Sequence, residues 1–339
     1  MAGLNRYRIL CVAAAMALLV PAYNSAPARA DQPLPSDVLD LLPRLFVPVP
    51  PSTGLNPGKV TLGARLFRDP ILSKDRTVAC ASCHNLTIGG GDGQRVSTGA
   101  GGRHTKRNAL SVFNVGLMQA FFWDGRAPSL EAQIDGPVHS KDEMDADWST
   151  ITYRLSQDLS YRKTFQALYG GLISEATIKD AIAEYERSLN TPGCRFDQFL
   201  SGDASALNAE ELQGLMQFVR LGCASCHQGV LLGANVFEKF GVYRPYTKNA
   251  GSTDLGRYAV TGVDYDKYVF RVPSLRNVAL TAPYFHDGSE PDLEAAVKTM
   301  ARIQLDRELD DRTARELVAF LKTLTGKTPA EPAPQQAKR

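Results

Sequence analysis

The pentapeptide Cys-Ala-Ser-Cys-His occurs twice, at residues 80–84 and again at 223–227, and it constrains this chain more than any other feature. Two thiols three positions apart can reach the two vinyl groups on one porphyrin edge. The His that follows then turns beneath the ring and offers its imidazole to the iron, so C-x-x-C-H is the attachment signature of c-type haem. A zinc site would need four ligands gathered together, and a thioredoxin-like redox pair needs no His immediately after it. Two identical copies exclude coincidence. The chain is therefore expected to carry two covalently bound c-type haems, attached through Cys80 and Cys83 and through Cys223 and Cys226, with His84 and His227 as proximal iron ligands. What stands on the opposite face of each iron separates electron transfer, with two protein ligands, from oxygen chemistry, with one position open.

The amino terminus has the parts of a secretory signal peptide. Arg6 and Arg8 precede an apolar stretch over residues 9–20, and Ala28-Arg29-Ala30 supplies small residues at a cleavage site. The apolar run falls short of the ~20 residues that cross a bilayer. Cleavage is expected after Ala30, giving a periplasmic protein with no membrane span in its mature form. The segment holds Arg6, Arg8 and Arg29 and no acid, so its removal turns the net charge of +2 into about −1. That charge gives no support to nucleic-acid binding. Of the six cysteines, Cys11 leaves with the signal, four attach haem, and Cys194 is left as a buried thiol.

A second self-similarity runs at an offset of 163: residues 114–132 match 277–295, with Asn-Val-x-Leu, Phe-x-Asp-Gly and Pro-x-Leu-Glu-Ala in both. Internal repetition of this kind reads as a duplicated domain. The haem motifs lie 143 positions apart, so the second copy holds about twenty extra residues, assigned to the Gly/Tyr-rich stretch 233–269. Asn208-x-x-Glu211 has capping-box spacing, and Leu212, Leu215, Met216 and Val219 continue it as a helix. Ile178, Ala181, Ile182, Tyr185 and Leu189 mark another helix, read as a bridge between the domains; a third spans about 313–324 and stops at Gly326. Strand-like alternation is scarce. The expected fold is mostly α: two cytochrome c-like domains in tandem, residues 31–190 and 191–327, each around a covalently bound haem, with a disordered Pro/Ala/Gln-rich tail at 328–339.

Function should lie where the copies diverge. Seven glycines fall within residues 89–102, after the first haem motif, a stretch that either gates access to the haem or merely connects. Trp123 replaces the His286 of the repeat; it either relays electrons between haems or fills an interface. Glu143 follows a loop at 137–142, where a glutamate is either solvated or catalytic. A methionine in an apolar helix, such as Met300, is ordinarily core.

Taken together, the two C-x-x-C-H motifs, Arg107-Asn108, the Phe-Trp-Asp-Gly-Arg-Ala of 122–127, Leu130-Glu131-x-Gln133, Glu143-Met144 and the Ala-Pro-Tyr-Phe-His-Asp-Gly of 282–288 resemble the bacterial di-haem cytochrome c peroxidases, whose superfamily includes MauG. The likeness covers nearly all of residues 35–327. It implies that the His84 haem is peroxidatic, with Glu143 as acid–base and Gln133 in its open pocket, and that Trp123 sits between the haems. The His227 haem would take electrons from a small cytochrome c or cupredoxin and have Met300 as its second ligand. A Ca²⁺ bound by Asn108 and by the carbonyls of Thr281 and Pro283 is also implied, as is a homodimer.

One departure matters. Family members often place a His in the Gly-rich loop that blocks the peroxidatic iron, and Ala100 stands at that position here, with His104 four residues on. A permanently open first haem is the expectation, which leans toward MauG-like oxidation of a partner protein's side chains. MauG, however, has Tyr where this chain has Met300, which leans toward the peroxidase. The expected activity is thus reduction of hydrogen peroxide to water. The alternatives are a MauG-like enzyme acting on a protein substrate and a non-catalytic di-haem electron carrier.

Overall fold

The computed structural model describes residues 34–234, 236–246 and 254–330. The expected signal at 1–30, its cleavage point and residues 331–339 of the expected tail lie outside the described residues. The longer helices that frame the site are α1 (Pro57–Arg68), α2 (Leu130–His139), α3 (Glu175–Arg187), α4 (Ala209–Arg220), α5 (Leu293–Leu305) and α6 (Asp311–Lys322). Two short strands, β1 (Phe237–Lys239) and β2 (Val269–Arg271), pair antiparallel with Phe237 opposite Arg271. Mostly helical structure with little sheet agrees with the scarcity of alternating patterns in the sequence.

Most helices begin where a side chain satisfies an otherwise unpaired amide. Asn208 Oδ1 accepts from the Glu211 amide at 3.0 Å, and the Asn208 amide donates to Glu211 Oε2 at 2.9 Å, the capping box read from the sequence. Ser129 and Asp292, repeat partners, cap α2 and α5 through the amides of Ala132 and Ala295.

The buried side chains form two cores. One is built from residues 62–189, around Phe67, Ile151, Phe165 and Tyr185. The other joins residues 194–324 with Leu34, Val38, Leu42 and Phe46 from the start of the described chain. Each core rests on a pair of helices pressed together at a glycine. A Cβ on Gly63 of α1 would lie 1.9 Å from Ala181 O of α3, and one on Gly214 of α4 would lie 1.9 Å from Glu316 O of α6. Helix α3 is therefore the partner of α1 within the first core, as α6 is of α4 in the second, rather than a bridge between halves. The amphipathic period located the helix but held no information about which groove receives it.

The duplication is visible at atomic detail. Asn114 and Asn277 both adopt φ 61°, ψ 14° at the head of a short 3₁₀ turn. Their amide nitrogens converge on one hydroxyl, Thr191 Oγ1, each at 2.9 Å. Thr191 thus holds the two repeats together at equivalent points.

Candidate functional site

Each Cys-Ala-Ser-Cys-His motif closes a single turn. The His84 amide donates to Cys80 O at 2.9 Å and the His227 amide to Cys223 O at 3.0 Å, so each imidazole leaves the turn beside its two thiols. His84 Nδ1 faces Gly90 O at 3.2 Å and His227 Nδ1 faces Leu232 O at 3.0 Å. A carbonyl only accepts, so Nδ1 carries the proton and Nε2 keeps the lone pair that an iron requires. Burial holds both rings neutral, lowering the His84 pKa and taking that of His227 down to about 4. A phenyl ring from the long helix backs each one: Phe67 for His84 and Phe218 for His227, both with centroids 6.4 Å away.

Burial pushes the Cys80 and Cys223 thiols up to about 12 and raises Cys83 as well. Such thiols are not the ready thiolates of a redox pair. Among the described residues no three His, Cys, Asp or Glu side chains are grouped to hold a metal ion, as zinc would need. Both motifs instead line one cavity of about 880 Å³. With two thiols and a Nε2-presenting imidazole on its wall in two places, and mainly apolar side chains elsewhere, the cavity suits a flat apolar group attached at each motif.

Seven further residues singled out from the sequence also line this cavity: Asn108, Trp123, Gln133, Glu143, Thr281, Pro283 and Met300. Gln133 projects from α2 and Met300 from α5, the repeat-equivalent helices. Glu143 lies in the loop after α2, which is tied on several sides. Its amide donates to Ser140 O at 3.1 Å, the Met144 amide to Pro137 O at 3.0 Å, and Asp145 pairs with Lys74 and Arg103 at 2.9 and 2.8 Å. Burial raises the Glu143 pKa above its usual value, against an opposing pull from Arg126.

The glycine-rich stretch packs directly on this loop. A Cβ on Gly99 would sit 2.2 Å from Asp142 O, and the Ala100 amide donates to Glu143 O at 2.6 Å. Ala100 is buried there, while His104 is exposed, hydrogen-bonded through Nδ1 to Thr98 Oγ1 at 3.2 Å, and not part of the cavity wall. Neither residue presents an imidazole to the cavity.

Trp123 is buried at the seam between the repeats. Its Nε1 donates to Asn108 O at 3.0 Å, its carbonyl accepts from the Arg271 amide at 2.7 Å, and its ring meets His286 edge-on at 6.3 Å. Trp123 and His286 are repeat partners, so the position where the copies differ is where they touch. Beside them Arg107 bridges Asp254 and Asp124 at 2.7 Å, and Arg257 donates to Asp124 O at 2.9 Å. Asp254 and Arg257 come from the inserted stretch 233–269, which thereby reaches across to the first repeat.

Cys194 is buried, as expected. Its sulfur accepts from the Asp197 amide at 3.4 Å and from Arg276 Nη1 at 3.2 Å.

Two cavity residues escaped the sequence reading. Glu186 has a buried Oε2 without a partner, and burial pushes its pKa up to about 8. Its signal was its place one turn after Ile182 on the apolar face of α3. Arg271 interrupts the apolar run 269–272, which was the cue for it.

Comparison with known proteins finds relatives over most of the chain. A family described as di-haem cytochrome c peroxidase matches residues 57–205. The chain is 43% identical over 286 residues to the cytochrome c551 peroxidase of Nitrosomonas europaea, covering 83% of this chain and 84% of that protein. It is 34% identical over 302 residues to the methylamine utilization protein MauG of Methylorubrum extorquens, covering 85% and 84%. Among solved structures, a MauG-like protein associated with microbial copper homeostasis superimposes with a TM-score of 0.71 at 31% identity, over 90% of this chain and 96% of that one.

Proposed function

Since the chain belongs to the di-haem cytochrome c peroxidase family, we propose that it catalyses H₂O₂ + 2e⁻ + 2H⁺ → 2H₂O with electrons from a small soluble cytochrome c or cupredoxin. The observation that carries this reading is that the two repeat-equivalent helices turn unlike side chains into one cavity: Gln133, with Glu143 following, in the first repeat, and Met300 in the second. In this reading the repeats are two cytochrome c-like domains, each holding a covalent haem.

His84 and His227 would hold the haem irons, and the four motif cysteines would fix the porphyrin edges. Bound there, the haems would pass on the donor's electrons and offer an iron position for peroxide. Glu143, desolvated and opposed only in part by Arg126, takes the proton from the near peroxide oxygen and returns it to the far one. Gln133, with both a donor and an acceptor, orients the substrate beside it. Met300 would serve the His227 haem as a thioether ligand, which would raise its potential and suit it to receive electrons. Trp123 lies on the route between the halves. A Ca²⁺ on Asn108 Oδ1 and the carbonyls of Thr281 and Pro283 is supported by the Asn108 amide nitrogen being engaged by Gln94 O at 2.8 Å, which leaves Oδ1 for a cation. A periplasmic location fits haem attachment, and no helix among the described residues is long and apolar enough to cross a membrane.

A second reading is favoured by Ala100, which is buried, held against Glu143 and carries no side chain able to bind an iron. Were no other side chain to replace the blocking His, the first haem would stay open and could act on a partner protein, as MauG-like enzymes do. The deciding experiment is steady-state peroxide reduction with reduced cytochrome c by wild type and Met300→Tyr, together with spectra of the fully oxidised protein. Turnover that the substitution abolishes is expected, with one high-spin haem. A wild type that turns over no soluble donor but oxidises side chains of a co-encoded protein overturns the peroxidase assignment. Two low-spin six-coordinate haems overturn the open first haem.

A further inference from the structure

Among the described residues two arginines are almost completely buried, and they differ in one respect. Arg276 is fully matched: Nη1 pairs with Asp197 at 2.7 Å, Nε donates to Val230 O at 2.8 Å and Nη2 to Val47 O at 2.9 Å. Arg271, only 2% exposed, has one side-chain hydrogen bond, from Nε to Phe122 O at 3.1 Å. Its Nη1 is buried without a partner, and no carboxylate among the described residues pairs with it. Asp124 is the acid whose charge it feels, but Asp124 is already engaged by Arg107 and Arg126 at 2.7 and 3.0 Å. Desolvation lowers even this guanidinium, to about 10. An unmatched cation in a desolvated place costs several kcal/mol, which natural cores seldom tolerate without an anion.

Arg271 lines the shared cavity, on β2, with its backbone amide on Trp123 O. It therefore stands at the seam between the repeats, away from both cysteine pairs in the sequence. The groups read into this cavity bring their own anions: each haem carries two propionates on the edge opposite its thioether bonds. Resting on the di-haem reading above, we propose that Arg271 is a positioning residue whose guanidinium pairs with a haem propionate at the seam. A planar guanidinium suits a carboxylate better than an ammonium does, because its donors form a fixed fork. The buried charge then raises the potential of the haem it serves, since a nearby cation disfavours the more positive ferric state.

The test compares wild-type holoprotein with Arg271→Gln and Arg271→Lys. Haem content is measured by pyridine haemochrome, propionate bending modes by resonance Raman, and the two midpoint potentials by absorbance-monitored titration. The expected result is two covalent haems in all three proteins and a shifted propionate band in both variants. In Arg271→Gln one midpoint should fall. At the wild-type midpoint the oxidised-to-reduced ratio of that haem should rise about tenfold, which is about 59 mV for one electron. Arg271→Lys should lie between, and the haem whose midpoint moves is the one whose propionate is held. Should the glutamine variant fail to fold, the lysine variant alone decides through its Raman band. Propionate bands and midpoints equal to wild type in the folded variants overturn the proposal. A wild-type chain without two covalent haems overturns the di-haem reading and this inference with it.

Discussion

Glu143 shows how much one side chain's place depends on backbone several residues away. It is held at the cavity wall by bonds to its neighbours' amides and carbonyls and by the Gly99–Ala100 backbone, while its carboxylate meets the Ser140 side chain and feels the charge of Arg126. Burial outweighs both of these pulls and raises its pKa, as suits a group that exchanges a proton. To take the peroxide proton the carboxylate must be ionised. Activity is therefore present above its folded pKa and lost as pH falls through it, at a higher pH than the ordinary 4.5 of a glutamate. Glu143→Gln should lower kcat/KM for peroxide by roughly 10²–10⁴ and remove this acid limb, with haem content unchanged. Steady-state rates across pH check both parts; a variant that keeps the acid limb would assign it to another group.

Among the elements, the helix pairs α1–α3 and α4–α6 carry the histidines' backing rings, and both pairs depend on a glycine at the crossing. Alanine in a helix interior ordinarily gains up to about 1 kcal/mol over glycine. At Gly63 and Gly214 the added Cβ would overlap a carbonyl of the facing helix at 1.9 Å, a contact that only separation of the helices relieves. Gly63→Ala and Gly214→Ala should each destabilise by roughly 1–3 kcal/mol, the usual cost of overpacking, and lower the Tm measured by circular dichroism. An unchanged or raised Tm would mean that the pairs are not closely fitted there. These elements were partly legible in the sequence. Helix α4 could be read because Asn208, Glu211 and the apolar period are all local signals. The crossing glycines could not, because Gly63 and Gly214 lie 151 positions apart, an offset matching neither repeat signal, and their necessity comes from carbonyls over a hundred residues away.

At the scale of the whole molecule, the same division between local and distant causes explains which parts of the site could be foreseen. Each Cys-Ala-Ser-Cys-His motif is written into five adjacent residues, so both were plain. That Trp123 and His286 face each other, that the insert 233–269 reaches Arg107 and Asp124, and that Arg271 and Glu186 are buried unmatched are consequences of how the two repeats close on one cavity. Thr191 is the point at which that closure is most economically made. Its hydroxyl accepts from Asn114 and Asn277, one from each repeat, and its amide donates to Asn114 Oδ1 at 2.8 Å. All three residues are buried, so a partner lost from the hydroxyl is not replaced by water. Thr191→Val keeps the shape and removes the acceptor, leaving two buried amide groups short of a bond at about 1–3 kcal/mol each. The loss should be shared by both cores, because each contributes one of the asparagines. In denaturant titrations of the holoprotein, far-ultraviolet dichroism and the absorbance of the two haems should therefore report one common, lowered midpoint, and Thr191→Ser should recover most of the difference. Two separated midpoints in the valine variant would instead mean that the halves keep their own stability and that the hydroxyl merely docks them.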